Sequence, residues 1–177
     1  SHLDFTYTLK PDDYMVQYQI LGTGLNGVLA PSTNALDLLW VQDIRQQEKG
    51  RKFEDRYVTL NYKFMADDVE HLSKQIPNRL KWIGYKDMFF STVLISQEGF
   101  EATTLDSKAI PEGDVLKQFK TTASVPFDLQ GKEATNLSFY FGPNKFALLK
   151  SFDKGVSAEQ QLDLEKLVPL GWGIFRW

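Results

Sequence analysis

The chain has 177 residues, a length typical of one domain that buries its core without help from a metal or a disulfide. Its 20 basic and 23 acidic side chains give a net charge of −3, which argues against the broad positive surface that nucleic-acid binding requires. The absence of cysteine excludes disulfides, redox thiols and cysteine-ligated zinc.

The first two predicted strands form a hairpin. Apolar residues alternate with polar ones over 3–9 and again over 14–20, and Pro11, Asp12 and Asp13 supply a turn between the two runs. This alternation is typical of strands with one face in water. The same criteria predict further strands at 35–44, 56–64, 81–96, 100–105, 115–126, 136–141 and 146–152, with turns at 98–99, 111–113, 130–131 and 142–144.

Helical signals are few. Residues 66–76, which end at Pro77, predict a short helix. Ser157 and Gln160 have the spacing of a capping box, in which each side chain satisfies a backbone N–H group of the other residue. Neither segment is long enough to organise the fold. We therefore expect an all-β antiparallel sandwich over residues 1–170, with a short C-terminal helical segment.

Residues 22–27 spell the glycine pattern of a dinucleotide-binding turn directly after a predicted strand. Such a turn must open a helix whose N-terminal N–H groups hold the pyrophosphate, but Pro31 follows after only three further residues. We interpret 22–27 as a turn in which glycine adopts positive φ angles, and we expect no dinucleotide cofactor.

Catalytic patterns are equally sparse. Apart from His2, the only histidine is His71, and neither a nucleophile elbow nor a zinc-protease pattern occurs. The acidic pairs at 12–13 and 67–68 are of the residue type that glycosidases use, but adjacent acids more often form turns. We expect no catalytic residue, metal or cofactor. Most aromatic side chains should fill the core rather than form a sugar-binding platform.

The chain ends in an aromatic segment, 167–177, that contains two Trp, one Phe and a single charged side chain. Aromatic rings flanked by arginine suit the boundary between water and lipid, and the run is too short to cross a bilayer, which needs roughly 20 apolar residues. We expect 171–177 to begin an interfacial helix that leads to a transmembrane segment; the alternative is an element packed on the protein's own core. The predicted interface side chains are Trp172, Ile174, Phe175, Arg176 and Trp177.

Residues 79–95 carry a resemblance to a known family. Trp82 and Gly84 precede the paired aromatics Phe89 and Phe90, as in the segment of YidC-type membrane protein insertases in which a Trp and a small-residue turn come before a paired-aromatic strand. The sequence of this segment is most similar to that of the Bacteroidetes branch of the family. We expect the strand over 82–95 to be structural, with Phe89 or Phe90 in the core.

Two later motifs agree in order with that family. Residues 137–144 resemble its strand that ends in Gly-Pro, here Gly142 and Pro143, and 162–177 resemble its junction into an interfacial helix before a transmembrane helix. The resemblance covers essentially the whole chain. It also implies that the family's domain begins upstream of residue 3, so we expect an open sheet edge that dimerises, pairs in a crystal or binds a separate N-terminal piece.

The resemblance implies a β-supersandwich similar to that of sugar mutarotases, in the periplasmic domain of an inner-membrane insertase. Such proteins insert and fold membrane proteins, alone or beside the Sec translocon and SecDF. The implied partners are therefore nascent membrane proteins, these complexes and the inner membrane, and the domain would be a non-catalytic docking or chaperone surface. The family's cationic groove lies in transmembrane helices, so no insertion residue is carried over, and Arg176 is not the groove arginine.

Two other functional hypotheses stay open. The aromatic content and the implied mutarotase-like fold are compatible with a carbohydrate-binding or carbohydrate-active domain, although such an enzyme needs an acid and a base facing one sugar and His71 is the only histidine suited to it. A purely structural surface domain is the third hypothesis. It differs from the first mainly in whether residues beyond 177 lead into lipid.

Overall fold

The computed structural model describes residues 1–65, 69–71 and 79–169. Strand accounts for 53% of the chain and helix for 15%, which confirms the predicted antiparallel β fold with a small C-terminal helical part. The strands are β1 (His2–Leu9), β2 (Met15–Thr23), β3 (Ala35–Arg45), β4 (Thr59–Phe64), β5 (Val69–His71), β6 (Leu80–Lys86), β7 (Phe90–Ala109), β8 (Val115–Pro126) and β9 (Thr135–Pro143). The helices are α1 (Arg51–Glu54) and α2 (Phe146–Ser151), with 3₁₀ turns at Leu25–Gly27, Asp55–Tyr57, Ala158–Gln160 and Leu164–Leu167.

The nine strands form one curled sheet in the order β1-β2-β9-β7-β6-β4-β5, with β8 joining β7 to β3. The 20-residue strand β7 makes the curl because its first half pairs with β6 and β9 and its second half with β8. Gly99 (φ 92°) and Ala102 (φ 47°) bend it between the two halves. The turn predicted at 98–99 is therefore a bend inside a strand, and it lets the two parts of the sheet face each other.

The predicted hairpin is confirmed. β1 and β2 pair antiparallel with Tyr7 opposite Tyr18, and the Asp13 N–H donates to the Lys10 carbonyl 3.3 Å away in the turn. Asp12 takes the left-handed conformation (φ 57°) that Asp tolerates better than most residues. β1 is the last strand at its side of the sheet, and all of its residues are exposed.

Two apolar cores hold the layers together. The first lies between the two facing parts of the sheet, where Ile83 and Leu94 from one part share a cluster with Leu105 and Phe119 from the other. The second lies on the opposite face of the sheet, where Trp82 and Tyr140 pack with side chains of the C-terminal segment. The central strands are thus buried on both faces, and every described residue of β6 is buried.

Four local predictions are wrong. Residues 146–151 form α2 rather than a strand, because Leu149 and its neighbours bury one helical face in the second core. Residues 69–71 form β5 and not a helix; they pair with β4, while the rest of that predicted helix lies outside the described residues. Residues 81–96 are two strands joined by a turn at 87–89. Ser157 precedes a 3₁₀ turn but makes no side-chain cap hydrogen bond.

Candidate membrane-junction site

The last described part of the chain forms a layer on the outer face of the sheet. We define residues 146–168 as the C-terminal layer. Its buried side chains are those of Leu149, Leu164 and Leu167, which pack against the fully buried indole of Trp82. The layer therefore completes the second core and holds the chain on the sheet up to Val168, just before the segment predicted to enter the membrane interface.

Two neighbouring residues of β6 bind the backbone of this layer. The Trp82 Nε1–H donates to the Leu162 carbonyl at 2.7 Å, and the Lys81 ammonium donates to the carbonyls of Glu159 and Gln161. The layer here consists of the 3₁₀ turn Ala158–Gln160 and the irregular residues 161–163, so these carbonyl groups need partners from elsewhere. Burial, and then the neighbouring Lys63 charge, lower the pKa of Lys81 below that of an ordinary lysine.

A buried ion pair adds to these contacts. The Lys63 ammonium of β4, which is almost fully buried, lies 2.8 Å from Asp163 Oδ2. Asp163 itself has a left-handed backbone (φ 53°), and its N–H donates to Asp153 Oδ2 at 2.8 Å. The Leu162 N–H donates to the other oxygen of the Asp153 carboxylate, so one side chain closes the loop between α2 and the last 3₁₀ turn.

Three carboxylates of the layer, those of Asp153, Asp163 and Glu165, have oxygens within 4.8 Å of one another. This is the residue type and spacing of an oxygen-ligand cation site. The Lys63 ammonium already forms an ion pair with the Asp163 carboxylate, and both carboxylate oxygens of Asp153 accept backbone N–H groups. We therefore assign the cluster to the attachment of the layer and not to a metal.

The family-motif residues in the described chain surround the same core. A Cβ on Gly84 would lie 3.2 Å from Trp82 Cζ3, so the glycine leaves room for the indole. A Cβ on Gly142 would lie 2.6 Å from Tyr140 Oη, and that hydroxyl donates to the Pro143 carbonyl at 2.7 Å. These positions shape the packing beneath the C-terminal layer.

The prediction of Phe89 or Phe90 in the core is wrong. Both side chains are exposed. The physical reason is the turn between β6 and β7: the N–H groups of Phe89 and Phe90 donate to Asp87 Oδ1, which places both rings at the end of the sheet, beyond the layers that cover its middle.

The predicted interface residues of the tail, Trp172 to Trp177, lie outside the described residues. Their placement stays a prediction. The structure does show where the chain last contacts the sheet before this tail, because the layer is attached to the sheet as far as Val168.

Two of the rejected motifs, 12–13 and the described turn at 24–27, are turns. Asp13 Oδ1 accepts the Met15 N–H at 3.0 Å, as a turn-forming carboxylate does. Residues 25–27 form one 3₁₀ turn after Gly24, whose φ of 65° is the expected positive angle, and no phosphate-binding helix opens there. The backbone of His71 lies in β5, and the pair at 67–68 lies outside the described residues.

A ladder of aromatic rings crosses the inner face of the sheet to the exposed strand β1. Tyr7 stacks on Tyr18 with ring centroids 4.5 Å apart, and Tyr18 contacts Phe139, whose ring meets Trp40 edge-on. Trp40 and Tyr18 are half-buried, in agreement with the expected use of aromatic residues as core. On β1 the ladder ends in exposed rings, those of Phe5 and Tyr7.

Sequence reasoning missed the polar residues that attach the layer. Lys63 and Lys81 alternate with apolar residues as surface lysines do, and a pairing across about 80 residues, such as that between Lys81 and Gln161, leaves no local signal. The alternating acidic and basic residues of 46–55 are typical of a solvated loop, but Glu54 within it is buried. This buried carboxylate accepts the N–H groups of Gln47 and Glu48 and closes the loop.

Comparison with known proteins gives the family. A family model described as the YidC periplasmic domain matches residues 1–177. The chain belongs to this family. The family description places the domain in the periplasm, as part of a protein of the inner membrane. The resemblance stated from the three motifs is confirmed.

Individual relatives agree. The chain is 96% identical over 183 residues to a protein named membrane protein insertase YidC from Parabacteroides distasonis, and 50% identical over 181 residues to one of the same name from Azobacteroides pseudotrichonymphae. These matches cover 100% and 99% of this chain. A more distant relative of that name, from Amoebophilus asiaticus, is 26% identical over 187 residues.

The chain spans only 29% to 30% of the length of these relatives. Among the residues that the structure describes, no helix is long and apolar enough to cross a bilayer. The activity that the relatives' name denotes belongs to the longer proteins, and its extension to this chain is a proposal.

Proposed function

We propose that this chain is a non-catalytic periplasmic domain that assists an inner-membrane insertase in inserting and folding membrane proteins, alone or with the Sec translocon and SecDF. The observation that carries the proposal is the C-terminal layer. Buried contacts fix it to the sheet up to Val168, and the predicted interfacial segment begins at residue 171. Only residues 169 and 170 separate the attached layer from that predicted segment.

The attachment is built from several independent contacts. The indole of Trp82 binds the layer through a hydrogen bond and through packing, Lys81 binds two of its carbonyls, and Lys63 pairs with Asp163. Removing one partner of a buried ion pair costs about 3–5 kcal/mol, because the other charge stays buried without compensation. A domain held in this way keeps a fixed orientation above the membrane, which a docking surface for partner proteins requires.

The exposed edge of the sheet is the docking surface that we propose. β1 is an edge strand with four large exposed apolar side chains, those of Leu3, Phe5, Tyr7 and Leu9. An edge strand offers backbone hydrogen-bonding groups to another extended segment, and the apolar row gives such a segment a surface to pack on. An extended segment from another part of the longer insertase would fit this description.

The test reverses the charge at the attachment. Asp163→Lys in the full-length protein places a third ammonium beside Lys63 and Lys81 and should detach the layer. In cells whose own insertase gene is repressed, this variant should insert a reporter inner-membrane protein several-fold less efficiently than the unchanged protein. Protein levels are measured by immunoblot so that lost insertion is not confused with degradation.

The matched control exchanges the two charges of the ion pair between positions 63 and 163. Lys63→Asp combined with Asp163→Lys should recover part of the lost insertion, because the two charges again have opposite signs. An exposed control, Leu39→Lys on β3, should leave insertion unchanged. Normal insertion by Asp163→Lys at normal protein level would contradict the proposal that this attachment serves the insertase.

A carbohydrate-binding function is the second candidate, and the exposed rings of Phe5 and Tyr7 favour it, since flat rings stack on sugar faces. Titration of the chain with common hexoses and with a short glucan, followed by NMR, is the test. Chemical-shift changes that are confined to β1 and abolished by Tyr7→Ser would support carbohydrate binding. The absence of chemical-shift changes at millimolar sugar would refute it.

A further inference from the structure

Three turns lie together at one end of the sheet. They are 10–14 between β1 and β2, 87–89 between β6 and β7, and 143–145 after β9. Asn144 joins two of them, because its N–H donates to the Phe89 carbonyl at 2.7 Å and its side-chain amide donates to the Asp87 carbonyl at 3.0 Å. The Phe141 N–H donates to the Tyr14 carbonyl at 3.0 Å, and this hydrogen bond joins the turn at 10–14 to β9.

Large apolar side chains project from this end of the sheet. We call them the aromatic tip. Its members and their exposed fractions are Leu9 (60%), Tyr14 (42%), Phe89 (38%), Phe90 (50%) and Phe141 (50%). Phe90 and Phe141 lie on neighbouring strands two residue pairs apart, since Phe90 is opposite Pro143 and Phe141 is opposite Thr92. Side chains in this diagonal relation are within reach of each other.

The backbone beneath the aromatic tip is well ordered by its own hydrogen bonds. Asp87 Oδ1 accepts the N–H groups of Phe89 and Phe90, and Ser91 Oγ donates to Asn144 Oδ1 at 2.6 Å. Hydrogen bonds therefore fix the backbone that carries the exposed rings of Phe89 and Phe90. A group of large exposed apolar side chains with a polar rim is typical of a contact surface.

The charges around the tip, two positive and three negative, nearly cancel. Lys10 and Lys145 are exposed at the turns, and opposite charges come from Asp12, Asp13 and Asp87. The carboxylates of Asp13 and Asp87 accept backbone N–H groups and so are directed inward. The partner is thus selected by apolar burial, with lysines free to meet phosphate at the rim.

We propose that the aromatic tip contacts the lipid–water interface of the membrane beside which this domain stands. Phe and Tyr rings suit the headgroup region because the ring buries while a polar edge or a neighbouring lysine stays hydrated. The family places the domain next to the inner membrane. Met15 and Tyr140, directly behind the tip, pack in the same core as Val168 at the end of the C-terminal layer, so the tip and the predicted tail interface are joined through one rigid cluster.

The site goes beyond the proposed function and does not depend on residues 171–177. The tail would anchor the chain, and the tip would fix the tilt of the domain against the bilayer surface. The two contributions are separable, because the tip consists of side chains on β1, β2, β7 and β9 and on the turns that join them.

The first experiment measures binding of the 177-residue chain to vesicles of phosphatidylethanolamine and phosphatidylglycerol by co-flotation. Phe89→Ser combined with Phe90→Ser should reduce the partition coefficient at least about fivefold, because both rings lose the apolar surface that they bury in the interface. The matched control, Leu39→Ser with Val41→Ser, removes two equally exposed apolar side chains from the outer face of β3 and should change binding less than about twofold. Equal losses in both variants, or no vesicle binding by the unchanged chain, would overturn the proposal.

The tail is tested in the same assay. Trp172→Asp with Phe175→Asp should weaken binding on its own, and the tip variant should weaken it further by the same factor. If the tip substitutions have no effect once the tail is changed, the tip does not contact lipid. A concentration-dependent dimer in sedimentation that Phe89→Ser and Phe90→Ser abolish would assign the tip to a second copy of the chain and refute the lipid contact.

The second experiment uses the absence of cysteine from the chain. A nitroxide on Met88→Cys, next to Phe89 in the turn at 87–89, should become accessible to oxygen and protected from a polar relaxing agent when vesicles are added. The accessibility of a nitroxide on Leu39→Cys to either agent should not change when vesicles are added. Unchanged accessibility at residue 88 in vesicle-bound protein would overturn the proposal even if the Phe variants had reduced binding through misfolding.

Discussion

Trp82 is the residue on which the C-terminal layer most depends, and its replacement gives the sharpest stability prediction. The indole is fully buried, and its Nε1–H donates to the Leu162 carbonyl at 2.7 Å. Trp82→Phe keeps an aromatic ring but removes the donor, which leaves the carbonyl of half-buried Leu162 without this partner at a cost of about 1–3 kcal/mol. The smaller ring adds about 1 kcal/mol for the space it does not fill.

We therefore expect Trp82→Phe to lower the free energy of unfolding by about 2–4 kcal/mol, and Trp82→Ala to lower it further. Urea unfolding followed by circular dichroism measures both. Leu39→Ala, at an exposed position of β3, is the control and should change stability by less than about 0.5 kcal/mol. A loss below about 1 kcal/mol for Trp82→Phe, at an unchanged m-value, would show that the layer is not held by this contact.

Three further predictions follow from the sequence and the described structure. Removing residues 171–177 should change the unfolding free energy by less than about 1 kcal/mol in urea, because we expect these side chains to meet lipid rather than the core; a loss of several kcal/mol would make the tail part of the core. The purified chain should show no mutarotation of common hexoses and no stoichiometric metal, and an activity that His71→Ala abolishes would overturn this. The chain should self-associate through β1 at high concentration, and Tyr7→Lys should suppress the association in sedimentation; a monomer at all concentrations would count against an open edge.

The sequence predicted best the elements that local patterns determine. The alternation over β1 and β2 and the bounds of β8 matched the structure because period-2 patterns and turn residues are local signals. It failed at α2, where the pattern of 146–152 suits either a strand or a helix and contacts of Leu149 with the distant residue Trp82 decide between them. The bend in β7 was mistaken for a turn because Gly99 permits both.

The candidate site was harder to predict than the fold. The attachment of the C-terminal layer depends on pairs such as Lys63 with Asp163 and Trp82 with Leu162, whose members are far apart in the chain. No spacing rule connects them. The paired aromatics Phe89 and Phe90 were recognised as a motif, but their exposure depends on the turn that Asp87 stabilises and on which layers cover the sheet.

The central claim is that this domain is joined to the membrane through its C-terminal segment in order to serve an insertase. The most direct test is insertion of a radiolabelled inner-membrane protein into proteoliposomes that contain the full-length protein. Trp172→Asp with Phe175→Asp should reduce the protease-protected product several-fold, because charged side chains displace the interfacial helix from the headgroup region, while Leu39→Asp with Val41→Asp should leave it unchanged. Full insertion by the tail variant, at equal protein content in the proteoliposomes, would contradict the account.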